Sequence, residues 1–193
     1  MDFSELKELL VAETVYDCLK EREDELFELI PELRVCKGFD QKNDWHVYDV
    51  YEHILHVVAG VEPELIVRLT ALFHDVGKPP AFTLDEEGVG HFRGHWDHSE
   101  ALFKQYAPFL DLTEEEITLI SNLIFYHDMN VGKMTHSQIA EMAEKIRREH
   151  IGKLFAIKRA DLLAQASKYH GLLVNIQKQE QAVLADFCTP MGG

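Results

Sequence analysis

Six side chains in this chain can bind a metal and also fall at or beside core-facing helical positions. They are His53, the adjacent pair His74-Asp75, His95, His127 and Asp161. The pair closes the apolar run LIVRLTALFHDVGKP. The last turn of a helix leaves carbonyls unpaired and partly negative, so a cation is favoured there. An imidazole beside a carboxylate, aimed at one point, is half of a divalent-metal site. Asp161 lies among Leu154, Ile157, Leu162 and Leu163. A carboxylate on such a face is unfavourable unless it is paired or metal-bound. Lys158 and Arg159 offer the plain alternative of a salt bridge. Nitrogen and carboxylate donors without thiolate suit one or two ions of Fe, Mn, Co, Ni or Zn.

The elements that position these groups read as helices. Glu64 to Phe73 has helical periodicity, with Leu65, Ile66, Leu69, Leu72 and Phe73 on one broad face. Pro63 opens this helix at a first helical position, Gly77 supplies a stop, and Pro79-Pro80 prevents continuation. His53 borders a stripe of Val47, Val50, Ile54 and Val57 in a helix over 47–60. His95 and His98 open a helix whose stripe runs through Leu102, Tyr106 and Phe109. His127 ends the stripe Ile117, Ile120, Ile124 of a helix over 114–127, opened by a Thr113/Glu116 capping box. Thr135 and Gln138 form another box before 136–149. Further helices are predicted over 2–20, over 23–30 (ended by Pro31), over 151–170 and over about 172–187. RVCKGFDQKNDW reads as a loop. Ala81–Leu84 and Val89–Phe92 flank an acidic turn with Gly88, which predicts a small hairpin over 81–92 overhanging the His-Asp pair. The fold class is all-α, a bundle of seven to nine helices with only that insertion extended.

Composition narrows the function classes. The net charge of −15 repels a nucleic-acid backbone at long range, so no long nucleic acid is expected as a partner. A small phosphorylated ligand stays compatible, because a metal and a few local cations reverse the sign inside one pocket. No apolar stretch reaches the roughly 18 residues that a membrane span needs, and MDFSELKELL is neither a secretory signal nor a transit peptide. Cys18, Cys36 and Cys188 are odd in number and widely spaced, and read as free thiols in a reducing, cytoplasmic setting. Histidine is the anomaly: of 11, eight fall between His46 and His127. His46 shares a helix side with His53 or caps that helix. His56, His136, His150 and His170 read as structural or surface residues. Oligomeric state is not legible.

The order His53, His74-Asp75, Asp161 resembles the H…HD…D pattern of the HD superfamily of metal-dependent phosphohydrolases. The segments QKNDWHVYDVYEHIL, LTALFHDVGKPPAFTLDEEGVGHFRGH and RADLLAQ are similar to the HD domain attached to bacterial CCA-adding tRNA nucleotidyltransferases. His127-Asp128 is a second HD dipeptide but lacks the following G-K-P. No Gly-Ser or Gly-Gly loop followed by D-x-D is present, so nucleotide polymerisation is not expected. The resemblance implies a single HD-type domain over 1–193, with a core at about 35–170 and helical extensions at both ends. It implies that His53, His74, Asp75 and Asp161 hold one metal. His95 and His127 then complete a second site that shares Asp75 as a bridge.

The expected activity is metal-dependent hydrolysis of a nucleotide or related small phosphate ester. Asp75 orients the attacking water, and Lys78 meets a phosphoryl oxygen as a point charge. His91 and Arg93, projecting from the hairpin, contact substrate, and His91 or His95 protonates the leaving oxygen. The same resemblance admits a di-iron oxygenase, since some HD relatives cleave C–C or C–P bonds with six similar ligands. It also admits a non-catalytic nucleotide-sensing module.

Overall fold

Helix boundaries follow from caps and breakers along the chain, and nearly every described residue outside the loops is helical. In the computed structural model, which describes residues 1–188, the α-helices are α1 (Phe3–Leu10), α2 (Val15–Glu21), α3 (Glu23–Leu29), α4 (Pro31–Cys36), α5 (Val50–Gly60), α6 (Leu65–Phe73), α7 (Lys78–Ala81), α8 (His95–Tyr106), α9 (Glu114–Tyr126), α10 (His136–Ile146), α11 (Ile151–Leu163) and α12 (Leu173–Cys188). Short 3₁₀ turns at Ala107–Phe109, Val131–Lys133, Arg148–His150 and Ser167–Leu172 join some of them. Two strands, β1 (Thr83–Leu84) and β2 (Gly90–His91), pair antiparallel with Thr83 opposite His91. The all-α class is as expected. No helix among the described residues is long and apolar enough to cross a membrane.

The expectation of seven to nine helices falls short because several segments break. The stretch 2–20 divides at Val11, and α2 restarts after Thr14. Pro31 does not merely end a helix; it opens α4 at a first-turn position, where its missing N–H costs nothing. Residues 34–36, expected in a loop, therefore belong to α4. Pro79 and Pro80 likewise sit in the single turn of α7. The helix expected at 47–60 begins only at Val50, because the Asp49 side chain accepts from the Glu52 N–H at 2.7 Å. Asp49 is thus the cap that His46 was offered for. The helix after Pro63 starts two residues later, at Leu65. The helix expected to reach 170 ends at Leu163. The hairpin shrinks to two residues a strand, and Ala81 joins α7. Both capping boxes, Thr113/Glu116 and Thr135/Gln138, are present.

One apolar cluster runs from Leu6 to Val183. At its centre α6 packs against α5 and α9, while α11 lies against α5 and α12. The sequence suggests one apolar face for α6, yet every residue from Val67 to Phe73 is buried, Arg68 included. The Arg68 guanidinium avoids isolation by donating to the carbonyls of Leu10, Ala12 and Val61. In α8 the buried side chains are His95, Ser99 and Phe103, not the stripe through Phe109, which is 64 % exposed. Cys18 and Cys36 are free thiols; the side chain of Cys188 lies outside the described residues.

Gly77 was expected as a helix stop but serves a closer purpose. Its backbone is right-handed (φ −82°), and its N–H donates to Ser99 Oγ at 2.9 Å. A Cβ there would lie 2.5 Å from both the His95 carbonyl oxygen and the Ser99 nitrogen. The turn after the His-Asp pair therefore presses directly on the start of α8. Gly77→Ala should cost about 1–3 kcal/mol through overpacking and displace α8 with His95. Urea unfolding checks this, and an unchanged midpoint would show that the approach is not tight.

Candidate metal centre

Five helices and one turn deliver the six candidate ligands to one place. His53 projects from the middle of α5. His74 is the C-cap residue of α6, and Asp75 follows it. His95 is the first residue of α8, His127 the C-cap residue of α9, and Asp161 lies in the last turn of α11. Asp75 is 1 % exposed and stands at the centre. Its Oδ2 lies 3.2 Å from His53 Nε2 and 3.2 Å from His74 Nε2. Its Oδ1 lies 3.1 Å from His95 Nε2 and 3.6 Å from His127 Nε2. Asp161 Oδ1 lies 3.0 Å from His53 Nε2, and the His95 and His127 Nε2 atoms are 3.2 Å apart. Two groups result, His53/His74/Asp75/Asp161 and Asp75/His95/His127, each with donor atoms within 4.8 Å of one another. These buried His and Asp groups could hold a metal ion.

The donor chemistry fits that use. His74, His95 and His127 each direct Nδ1 at the carbonyl three residues before, at 2.7, 2.8 and 2.6 Å. A carbonyl only accepts, so Nδ1 carries the proton and each Nε2 offers its lone pair inward. Several of these buried atoms have no hydrogen-bond partner: His53 Nδ1 and Nε2, His74 Nε2 and Asp75 Oδ2, the last of which has only an ion pair with Lys78. Their close distances to one another are not hydrogen bonds, because the atoms converge on shared space and do not align pairwise. Buried polar atoms left this way are costly unless a ligand satisfies them.

Electrostatics favours ionised carboxylates. Burial works against ionisation of Asp75, but His74 and Lys78 hold its carboxyl well below the usual range. Burial likewise opposes Asp161, and His53 outweighs it in the lowering direction. Burial also disfavours a proton on His53 and His95; the carboxylates of Asp161 and Asp75 raise His53, and Asp75 raises His95. At His127 burial wins and the ring is lowered.

The salt bridge weighed for Asp161 is absent. Arg159 pairs with Glu180, and buried Lys158 donates to the carbonyls of His127 and Met129. Burial pushes the Lys158 ammonium down to about 8. Lys158 thereby ties the helix carrying Asp161 to the end of the helix carrying His127. Lys78 is buried beside the site: it is 6 % exposed, 2.7 Å from Asp75 Oδ2, and donates to Gln41 Oε1 at 2.9 Å. His91 and Arg93 line a cavity of about 340 Å³ that also opens onto Asp75, Lys78 and His95. His91 Nε2 lies 2.7 Å from Asp85 Oδ2. Beyond the expected set, Gln41 is 2 % exposed and holds Lys78, and His46 lines the same cavity with its ring 5.2 Å from that of His53. The seven-residue spacing from His53 was the signal for His46; Gln41, in a polar loop, had none.

Asp75→Asn should remove both ions, since each group uses one of its oxygens, whereas His127→Ala should remove one and leave the fold intact. Elemental analysis checks both, and an Asp75→Asn protein that keeps two ions would refute the bridge. Protons compete with metal for the imidazoles. Because His53 and His95 hold theirs above the ordinary value of 6.5, metal affinity should begin to fall above that pH on acidification. The fall is about tenfold per pH unit for each proton displaced. In the metal-free protein the sign reverses: those protons stabilise the fold at low pH, and that contribution is lost as pH rises through the raised values. Titrations of metal affinity and unfolding midpoint against pH test the two signs; a flat affinity profile contradicts the first.

No protein-family model matches the chain. It is 31 % identical over 141 residues to the CC-adding tRNA nucleotidyltransferase of Thermus thermophilus, which covers 69 % of this chain and 29 % of that protein. It is 30 % identical over 138 residues to the A-adding tRNA nucleotidyltransferase of Deinococcus radiodurans, covering 68 % of this chain and 31 % of that one. The chain spans less than a third of the length of either relative. About two thirds of it is therefore similar to part of a tRNA nucleotidyltransferase.

Proposed function

We propose that the chain is an HD-type, metal-dependent phosphohydrolase acting on a nucleotide or a related small phosphate ester. The observation that carries this reading is Asp75, whose two oxygens face two separate donor groups, as a carboxylate bridging two ions must. An ion of the Fe, Mn, Co, Ni or Zn class, bound at these donors, would polarise phosphoryl oxygens and lower the pKa of a water. The protein's own groups supply the rest. The Lys78 ammonium has three donors; one goes to Gln41 Oε1 and the charge pairs with Asp75, so donor capacity remains for a phosphoryl oxygen. Arg93 is exposed at the cavity rim and adds positive charge for the anionic group. Asp85 Oδ2 lies 2.7 Å from His91 Nε2, so Nδ1 is the ring atom that would pass a proton to the leaving oxygen. His95 is the weaker candidate for that step, because its Nε2 is turned to Asp75 and His127. The similarity to nucleotidyltransferases supports a nucleotide-related substrate, and the net charge of −15 argues against a long nucleic acid.

Phosphate release from a panel of nucleotides and an aryl phosphate, with each divalent metal in turn, tests the proposal. Metal-dependent turnover is expected, reduced at least about a thousandfold in Asp75→Asn and about a hundredfold in Lys78→Ala. Metal-loaded protein that binds nucleotides and releases nothing would instead be a sensing module. Oxygen consumption by the ferrous protein would point to the oxygenase alternative.

A further inference from the structure

A second cavity, of about 390 Å³, flanks the candidate metal centre on the side away from the hairpin. It meets the hairpin-side cavity at His46, His127, Asp128, Asp161 and Gln165, so the two open from the metal centre in different directions. Their chemistry differs. The hairpin-side cavity carries Lys78, His91 and Arg93. In the second cavity the lining cation is Lys158, and its ammonium is already occupied by the carbonyls of His127 and Met129. What this cavity offers instead is amides and apolar surface. Gln165, Asn175 and Gln179 supply the amides, Leu172 and Ile176 the aliphatic faces, and Trp45 an indole. Trp45 keeps 42 % of its surface exposed and stacks on Tyr169, with ring centroids 3.7 Å apart and planes 13° apart. The Gln165 amide nitrogen donates to Asp161 Oδ1 at 3.3 Å, which joins the pocket wall to the metal-ligand set.

An amide presents a donor and an acceptor side by side, the pattern that reads a nucleobase edge. Apolar and aromatic walls suit its faces. The volume lies within the roughly 300–1,000 Å³ of small-molecule sites. Beyond the rim that the two cavities share, these walls suit a ligand that is uncharged and planar at one end and anionic at the other. We infer that the pocket formed by Trp45, α11 and α12 is a nucleobase subsite, holding the base and ribose of a nucleoside 5′-phosphate whose phosphate lies at the metal centre. This rests on the phosphohydrolase reading only for the position of the phosphate.

The test is calorimetric titration of the full, manganese-loaded chain. The probes are the 5′-methylenephosphonates of adenosine, guanosine, cytidine and uridine, which resist hydrolysis, with methylphosphonate as reference. At least one nucleoside probe should bind about tenfold or more tighter than methylphosphonate, given that each amide hydrogen bond contributes about three- to tenfold. In Asn175→Ala/Gln179→Ala that preference should fall by about tenfold, again by one bond per amide, while methylphosphonate affinity and manganese content stay as in the wild type. Equal binding of all probes, or a preference unchanged in the double variant, overturns the assignment. Wild-type turnover of an aryl phosphate separates the two readings. Turnover without base preference removes the subsite and leaves the hydrolase; base preference without turnover of any phosphate ester does the reverse.

Discussion

Placing a carboxylate at the centre of an apolar bundle is costly, since even after relaxation an unpaired buried charge is unfavourable by several kcal/mol. Asp75 is a buried carboxylate of this kind, and it escapes isolation because the surrounding architecture encloses it with nitrogen, the Lys78 ammonium among it. The means are economical. Helix C-termini leave carbonyls without partners, and at α6 and α9 those of Ala71 and Ile124 accept from the Nδ1 of His74 and His127. The same bond satisfies an orphan acceptor and sets the ring so that Nε2 faces inward. His95 achieves this from the other end of a helix, with the Phe92 carbonyl just ahead of α8. The close approach of Gly77 to α8 then fixes how far His95 stands from Asp75.

Much of this arrangement was legible because the ligands are polar residues at positions where helical periodicity asks for apolar ones. What stayed illegible depends on contacts distant in sequence. The buried face of α8 is His95, Ser99 and Phe103, two of them polar, so hydrophobicity pointed to Leu102, Tyr106 and Phe109 instead. Lys78, beside two prolines in a turn, has the sequence of a solvated lysine. Its buried partner is Gln41, 37 residues upstream, whose loop carries no period. Prolines at 31, 79 and 80 read equally as ends or beginnings, and only packing decides between them.

The short hairpin holds its cavity-lining residues by means other than β pairing, since strands of two residues are too short for independent stability. Gly90 donates to the Lys42 carbonyl at 2.8 Å, and a Cβ on it would collide with the Gln41 carbonyl oxygen at 2.1 Å. Phe82 packs edge-on against Phe39 and lies 5.4 Å from Phe92. The loop that carries Gln41 and His46 and the hairpin that carries His91 and Arg93 therefore form one wall. A change on either side shifts both the Lys78 partner and the cavity rim.

Net charge and local charge have opposite jobs. A surplus of acid repels polyanions at long range, and one of the acids also engages a basic side chain that stands next to a central carboxylate. Arg159, two residues from Asp161, is drawn to Glu180 on α12. Had Arg159 closed on Asp161, a bidentate ion pair would have neutralised that ligand and competed with any cation. With Arg159 held by Glu180, Asp161 keeps 17 % side-chain exposure toward the cleft and its charge stays available beside His53. The acidic periphery thus preserves the negative charge at the centre, while Lys78 and Arg93 line the cavity on the hairpin side.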